Sequence, residues 1–349
     1  MSPRARMPKV SCVSFPMAPV GVIDVSAVEF TAMSVKMNTI GIATLIATKA
    51  ARCVHAAAGR PLVDFALRRT HGSEAGDQVA RSTYIAGFSS TSNVRAGQRF
   101  GIPVAGTMAH AFVTAFASEP DAFRAYAATF PQHTIFLIDT YDTLAGARNA
   151  ATVALEMRAK GQRALGVRLD SGDMVALSRD VRRILDEAGL TEMKIYASSS
   201  FDEFKITEII QSGAPIDAFG VGTKVGVSAD APYLDIVYKL VQLGKRPIRK
   251  LSSNKVTLAG RKQIFRHDDP NGVFREDILA CREEKRAAGE PLLEPVMLNG
   301  QRQSPEASLV DIRKRFAKQF GCLDPRYKTI DYHVAYPLRL SPRLKALQK

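Results

Sequence analysis

The chain has 349 residues, 46% of them hydrophobic, and a formal net charge of +14. That size and apolar content allow one large core plus an appendage, and they exclude a disordered or low-complexity chain. Cys12, Cys53, Cys281 and Cys322 are scattered without a CxxC pair or a histidine cluster, which excludes a zinc scaffold and predicts reduced thiols in the cytoplasm.

The first residues, MSPRARMPKV and the apolar run to Ile23, imitate a weak export or transit signal. Pro8, Pro16 and Pro19 interrupt it and no clear cleavage site follows. Residues 1–43 read as a short N-terminal segment. The most apolar stretch, residues 40–58, contains Lys49 and Arg52, so no membrane span is expected. Candidate strands then fall at 62–67, 102–106, 134–138, 164–169, 194–197 and 217–221. Their starts lie about 25 to 40 residues apart, the spacing of βα units rather than hairpins. Most run straight apolar, as strands buried on both faces do. Helical stretches follow at 142–161 and 171–189, and a third is capped by Asp202 and closed by Gly213. The pattern favours an α/β barrel over an open sheet, with a core at 44–243. A basic C-terminal appendage follows at 244–349, with surface helices expected over 276–289 and 306–320.

Polar bursts end these strands: DFALRRTHG from Asp64, GIPVAGTMAH from Gly101, DTYDTL from Asp139, GVRLDSGD from Gly166, ASSSFDE from Ala197 and FGVGT from Phe219. In α/β barrels the reactive residues gather at the C-terminal strand ends. FGVGT can form a backbone nest for phosphate, or be a tight turn. Arg168 and Asp170 alternate at a strand end and Ser171 to Asp173 open a helix, which suits an anionic ligand or a structural Arg-Asp pair with an N-cap. Asp139 and Asp142 can hold magnesium through water, bond ribose hydroxyls or cap the next helix. His110 sits in the first turn of a helix, where a lone histidine is as often structural or surface. Arg68 and Arg69 form a cationic pair for an anion, or plain surface charge. Positive charge concentrates in 245–266 and 313–349 without aromatic interleaving, so no nucleic-acid partner is expected.

Taken in this order, the six strings resemble the nicotinate phosphoribosyltransferases, most densely over residues 44–265. The resemblance implies a TIM-like α/β barrel of the type II phosphoribosyltransferases with a small C-terminal appendage and a truncated N-terminal domain. It implies formation of nicotinate mononucleotide and pyrophosphate from nicotinate and phosphoribosyl pyrophosphate, coupled to ATP hydrolysis, in a cytoplasmic homodimer using Mg2+ with the substrate phosphates. It also distributes roles: His110 carries a phosphoryl group from ATP, Arg168 orients substrate, and Asp139 and Asp170 serve ribose or magnesium. Thr107 contacts nicotinate, Gly222 and Thr223 hold phosphate, and Arg68, Arg69 and Ser198 complete the substrate-binding set. This sequence departs from the family at Ala111, where Ser usually follows the histidine, at Ser200 before Phe201, and at Ser89, where Asp is frequent. It also has no DLYQLTM-like string to stack on the pyridine ring. These departures support two alternatives: a catalytically impaired relative that binds ligand or a full-length partner, and an enzyme for another pyridine or pyrimidine acid.

Overall fold

The protein is described here by a computed structural model covering residues 30–236, 239–252, 256–285 and 289–349. Cys12 and the three prolines of the leader-like start lie outside the described residues. The chain divides into two compact units, Lys49–Asp230 and the described parts of Met1–Thr48 with Ala231–Lys349.

The Lys49–Asp230 unit holds one parallel sheet with strands β1 (Leu62–Asp64), β2 (Ser90–Thr91), β3 (Ile135–Leu137), β4 (Gly166–Leu169), β5 (Lys194–Ser198) and β6 (Ala218–Val221). Their order is β2-β1-β6-β5-β4-β3, so every consecutive pair except β2 and β3 is adjacent and the first strand pairs with the last. A parallel bridge from Thr91 to Val104 extends the β2 edge. Among the described residues no ladder joins Val104 to β3.

α1 (Phe30–Ala56), α2 (Ser73–Ala86), α3 (Val94–Phe100), α4 (His110–Thr114), α5 (Glu119–Thr129), α6 (Thr143–Ala159), α7 (Met174–Glu187), α8 (Glu203–Gln211) and the single turn α9 (Thr223–Gly226) connect or precede these strands. Carboxylate caps define the starts: Asp142, Asp173 and Asp202 each accept backbone N–H groups at the first turn of α6, α7 and α8. Two glycines set how closely the layers approach. A Cβ at Gly146 would run into the Ile138 carbonyl, and one at Gly166 into the Lys194 carbonyl.

The expected strand 62–67 stops at Asp64. The Asp64 carboxylate accepts the Ala66 N–H at 2.8 Å and turns the chain into a 3-10 turn, Leu67–Arg69, which carries Arg68 and Arg69. The expected strand 102–106 is reduced to the one bridge at Val104.

In the Ala231–Lys349 part, β7 (Gln242–Leu243) and β8 (Arg246–Pro247) make a short ribbon. β9 (Lys262–Asp268) and β10 (Phe274–Cys281) form an antiparallel hairpin flanked by β11 (Glu290–Pro291) and β14 (Leu338–Leu340). The helix expected over 276–289 does not form among the described residues: 276–281 are strand, 282–285 are turn and coil, and 286–288 lie outside the described residues. Arg266 on β9 and Asp277 on β10 form a buried, bidentate ion pair at 2.9 and 2.8 Å, so charges that read as a solvated helix face are cross-strand partners. β12 (Met297–Leu298) and β13 (Gln301–Arg302) make another ribbon, and α10 (Leu309–Gly321) is the helix expected near 306–320. No helix among the described residues is long and apolar enough to cross a membrane.

Candidate active site

All six strands are parallel, so their C-terminal ends share one rim. The polar cluster at that rim starts from Asp170, just past β4. Its backbone N–H donates to Asp139 Oδ2 at 3.1 Å, and Asp139, just past Ile138, also accepts the Ser171 hydroxyl. Ser198 at the end of β5 donates its hydroxyl to Asp170 Oδ1. His110, the first residue of α4, places Nε2 3.6 Å from Asp170 Oδ2 and Nδ1 3.1 Å from the Thr140 hydroxyl. Four separate segments thus meet in one cluster, and two of them, through His110 and Ser198, reach the Asp170 carboxylate. His110 and Asp170 keep 42% and 35% of their side-chain surface exposed, so the pair faces an incoming ligand rather than the core.

Beside this cluster a cavity of about 900 Å3 enters the strand layer, lined at the rim by Phe65, Thr107, Arg168 and Gly220. Arg168 is largely buried. One Nη2 N–H donates to the Met108 carbonyl at 3.2 Å, its guanidinium lies 6.0 Å from the centroid of the Phe65 ring, and its buried Nε has no hydrogen-bond partner among the described residues. Burial lowers the guanidinium pKa from its ordinary value, opposed by Asp170 and Asp139, but arginine stays charged at any working pH. A buried cationic donor without an acceptor is costly, and a planar carboxylate from a ligand satisfies it. Asp139 mirrors this: its Oδ1 is buried with no donor among the described residues. Arg68 is near enough to repel Arg168, which concentrates positive charge around the mouth.

Gly222 caps α9 and needs its missing side chain, since a Cβ there would lie 3.1 Å from the Phe65 carbonyl oxygen. Phe65 in turn donates its N–H to Val221 at 2.8 Å, so the β1 and β6 ends are locked together. Lys224 pairs with Asp202 at 2.6 Å, and Lys205 donates to the Ser199 carbonyl at 3.3 Å. The first of these bonds joins the loops after β5 and β6, and the second ties α8 back to the β5 loop. Ser200 holds φ at +46°, a left-handed conformation uncommon for a side-chain-bearing residue, and so tightens the first of them. On β1, burial pushes the Asp64 carboxyl up, although the Thr91 hydroxyl and Ala66 N–H hold it lower than burial alone would.

Of the residues singled out in the sequence, His110, Asp139, Asp170 and Ser198 meet in one cluster, and Arg168 and Thr107 line the adjoining cavity. Gly222 abuts Phe65 beside them. Arg69 and Thr223 are exposed and make no side-chain hydrogen bond to the cluster among the described residues. Phe65, Tyr196 and Tyr126, which give the cavity its aromatic wall, drew no attention in the sequence. Phe65 carried one usable signal, its place directly after a strand and before the paired arginines.

Parallel βα units, a polar cluster at their C-terminal strand rim and a buried arginine beside it define an α/β protein whose candidate site lies at the strand ends. The profile of the nicotinate phosphoribosyltransferase (NAPRTase) family matches residues 61–272, and that of the nicotinate phosphoribosyltransferase C-terminal domain matches 284–348. The chain belongs to the nicotinate phosphoribosyltransferase family. It is 45% identical over 312 residues to a nicotinate phosphoribosyltransferase of Mycobacterium tuberculosis, covering 88% of this chain and 66% of that protein. The corresponding enzyme of Bacillus subtilis is 46% identical over 259 residues, covering 71% of this chain and 52% of that protein. The chain therefore spans about half to two thirds of the length of these relatives. The crystal structure of human nicotinic acid phosphoribosyltransferase superposes with a TM-score of 0.80 at 30% identity, covering 90% of this chain and 75% of that one.

Proposed function

We propose that this chain forms nicotinate mononucleotide and pyrophosphate from nicotinate and phosphoribosyl pyrophosphate. The observation that carries the reading is Arg168, buried in an aromatic-walled cavity with its Nε unsatisfied and Phe65 beside it. Nicotinate offers the two matching features, a carboxylate for the guanidinium and a flat ring for Phe65. The pyridine nitrogen attacks ribose C1, the C1–O bond breaks, and its electron pair leaves with pyrophosphate. No proton moves, so the protein contributes position and charge. The names of the relatives favour the same reaction.

The cyclic strand order, with β1 against β6, supports a TIM-like barrel whose remaining seam lies between Val104 and β3. The C-terminal strand rim then faces the phosphates, with Gly222 and Thr223 on the sugar phosphate and Arg68 and Arg69 on the pyrophosphate side. The donor set suits magnesium: Asp139 Oδ1 is buried and free, and magnesium takes few carboxylates together with substrate phosphates. Asp139 and Asp170 would hold it, and it would neutralise charge on the departing pyrophosphate. His110 is the group we assign to ATP coupling. Its imidazole takes the γ-phosphoryl group, ADP leaves, and water later releases orthophosphate. The exposed Val296, Met297 and Leu298 supply an apolar patch suited to a homodimer. The free thiols of Cys53, Cys281 and Cys322 suit a reducing compartment.

The test incubates the purified chain with nicotinate, phosphoribosyl pyrophosphate, magnesium and ATP and follows both products. Equal yields of mononucleotide and pyrophosphate are expected, and His110→Ala keeps slow turnover but loses ATP stimulation. Absence of mononucleotide from a folded chain that binds phosphoribosyl pyrophosphate contradicts the reading.

A further inference from the structure

The cavity behind Arg168 is larger than its proposed substrate needs. Pockets of about 300 to 1,000 Å3 hold drug-sized ligands, and nicotinate has only nine non-hydrogen atoms. The surplus has a direction. Because the strands are parallel, Phe65, Thr107, Arg168 and Gly220 mark the C-terminal rim, whereas Pro61, Leu165, Lys194 and Asp217, which line the same cavity, precede or start β1, β4, β5 and β6 at the opposite rim. Interiors of α/β barrels are ordinarily filled by layers of branched side chains. Here a small residue leaves the middle open, Ala218 in register with Tyr196, while at the C-terminal rim the Phe65 ring takes the space beside Gly220, where a Cβ would strike it.

The far end reaches solvent. Lys194 and Asp217 pair at 3.2 Å, yet keep 56% and 35% of their side-chain surface exposed, and Leu165 is exposed beside them. A second depression of about 440 Å3 lies on the outside of that rim and shares Pro61, Lys194 and Asp217 with the cavity. The pair is thus the only ion pair among the described residues that borders both spaces.

Resting on the functional reading above, the chemistry fixes the pose. Arg168 holds the carboxylate, and the ring nitrogen must face the sugar at the C-terminal rim. The ring edge away from the nitrogen then points toward Tyr196 and Ala218. We propose that the cavity is a through-passage and that the site accepts pyridine carboxylates bearing a substituent on that ring edge, the substituent passing over Tyr196 and Ala218, which line the cavity side by side, toward the Lys194–Asp217 pair. The substrate class is therefore ring-substituted nicotinates as well as nicotinate. The passage is aromatic and apolar along its length and charged only at its ends, so apolar substituents suit it.

The test compares nicotinate with nicotinates carrying a methyl or a phenyl group on the edge opposite the nitrogen, following pyrophosphate release. The phenyl compound is expected to keep kcat/KM within about tenfold of nicotinate, since pocket fit to a small apolar group changes rates by about 10- to 200-fold when it fails. Ala218→Leu fills the passage and Leu165→Trp narrows its exposed end. Each should cost the phenyl compound about tenfold or more and nicotinate less than about threefold. Leu165 is exposed, so its replacement leaves the core packing in place should Ala218→Leu fail to fold. Turnover of nicotinate with rejection of both substituted compounds overturns the passage, as does an equal effect of either variant on all substrates. Calorimetric binding separates the two readings. If no compound is turned over, the functional reading falls, while binding of the phenyl compound that Leu165→Trp weakens keeps the passage. No binding of the phenyl compound overturns it.

Discussion

Arg168, near the end of β4, keeps a buried Nε that finds no acceptor among the described residues, and Asp139 keeps a buried oxygen without a donor among them. Such groups cost about 1 to 3 kcal/mol each when left unsatisfied, more when charged, so both point to ligand atoms. Phe65 gains its place from the bonds around it: its N–H is tied to Val221, and Gly220 gives its ring room. Phe65→Ala is expected to raise KM for nicotinate by about tenfold, from loss of an aromatic wall contributing about 0.5 to 1.5 kcal/mol beyond area burial. KM for phosphoribosyl pyrophosphate should stay close to wild type in the same steady-state kinetics. A larger effect on phosphoribosyl pyrophosphate than on nicotinate would take Phe65 away from the ring.

The loops that carry the site depend on elements that hold them from behind. The C-terminal half of α1 does this for α8: Lys49 pairs with Glu203 at 2.9 Å and with Asp230 at 2.6 Å, and Arg52 pairs with Glu203 at 2.7 Å. Glu203 is fully buried directly after the cap Asp202, so this network fixes the start of α8 and the Ser198 loop before it. Glu203→Gln leaves Lys49 and Arg52 short of charge in a buried place, and urea unfolding should show a loss of about 3 to 5 kcal/mol. Burial would lower the Lys49 pKa, but Glu203 and Asp230 raise it above its usual 10.5. The contribution is therefore complete below pH 10.5 and lost as pH rises through the higher folded value. Unfolding midpoints measured from neutral pH into that alkaline range should fall for the wild type and change less for Glu203→Gln. Parallel curves for the two proteins would show that Lys49 is not the linked group.

At the scale of the molecule, buried parallel strands write themselves as straight apolar runs, so 134–138, 164–169, 194–197 and 217–221 were legible, as were the caps Asp142, Asp173 and Asp202. β2 was not, because its two polar residues, Ser90 and Thr91, are buried through hydrogen bonds such as Thr91 to Asp64 at 2.7 Å rather than through apolarity. Phe65, Tyr196 and Ala218 looked like ordinary core residues, since a cavity wall and a packed core draw on the same side chains. Asp277 looked solvated because its partner Arg266 comes from another strand. Net charge of +14 adds a long-range attraction for a polyanionic substrate. KM for phosphoribosyl pyrophosphate is expected to rise several-fold between about 0.05 and 0.5 M salt, with a smaller change for nicotinate; equal changes for both would remove that role. The most direct measurement compares nicotinate and nicotinamide as acceptors for the wild type and Arg168→Ala. The wild type is expected to prefer nicotinate, and the variant to lose about a hundredfold or more in kcat/KM for nicotinate and with it the preference. An Arg168→Ala enzyme that keeps wild-type kinetics and still selects nicotinate would contradict the role given to Arg168.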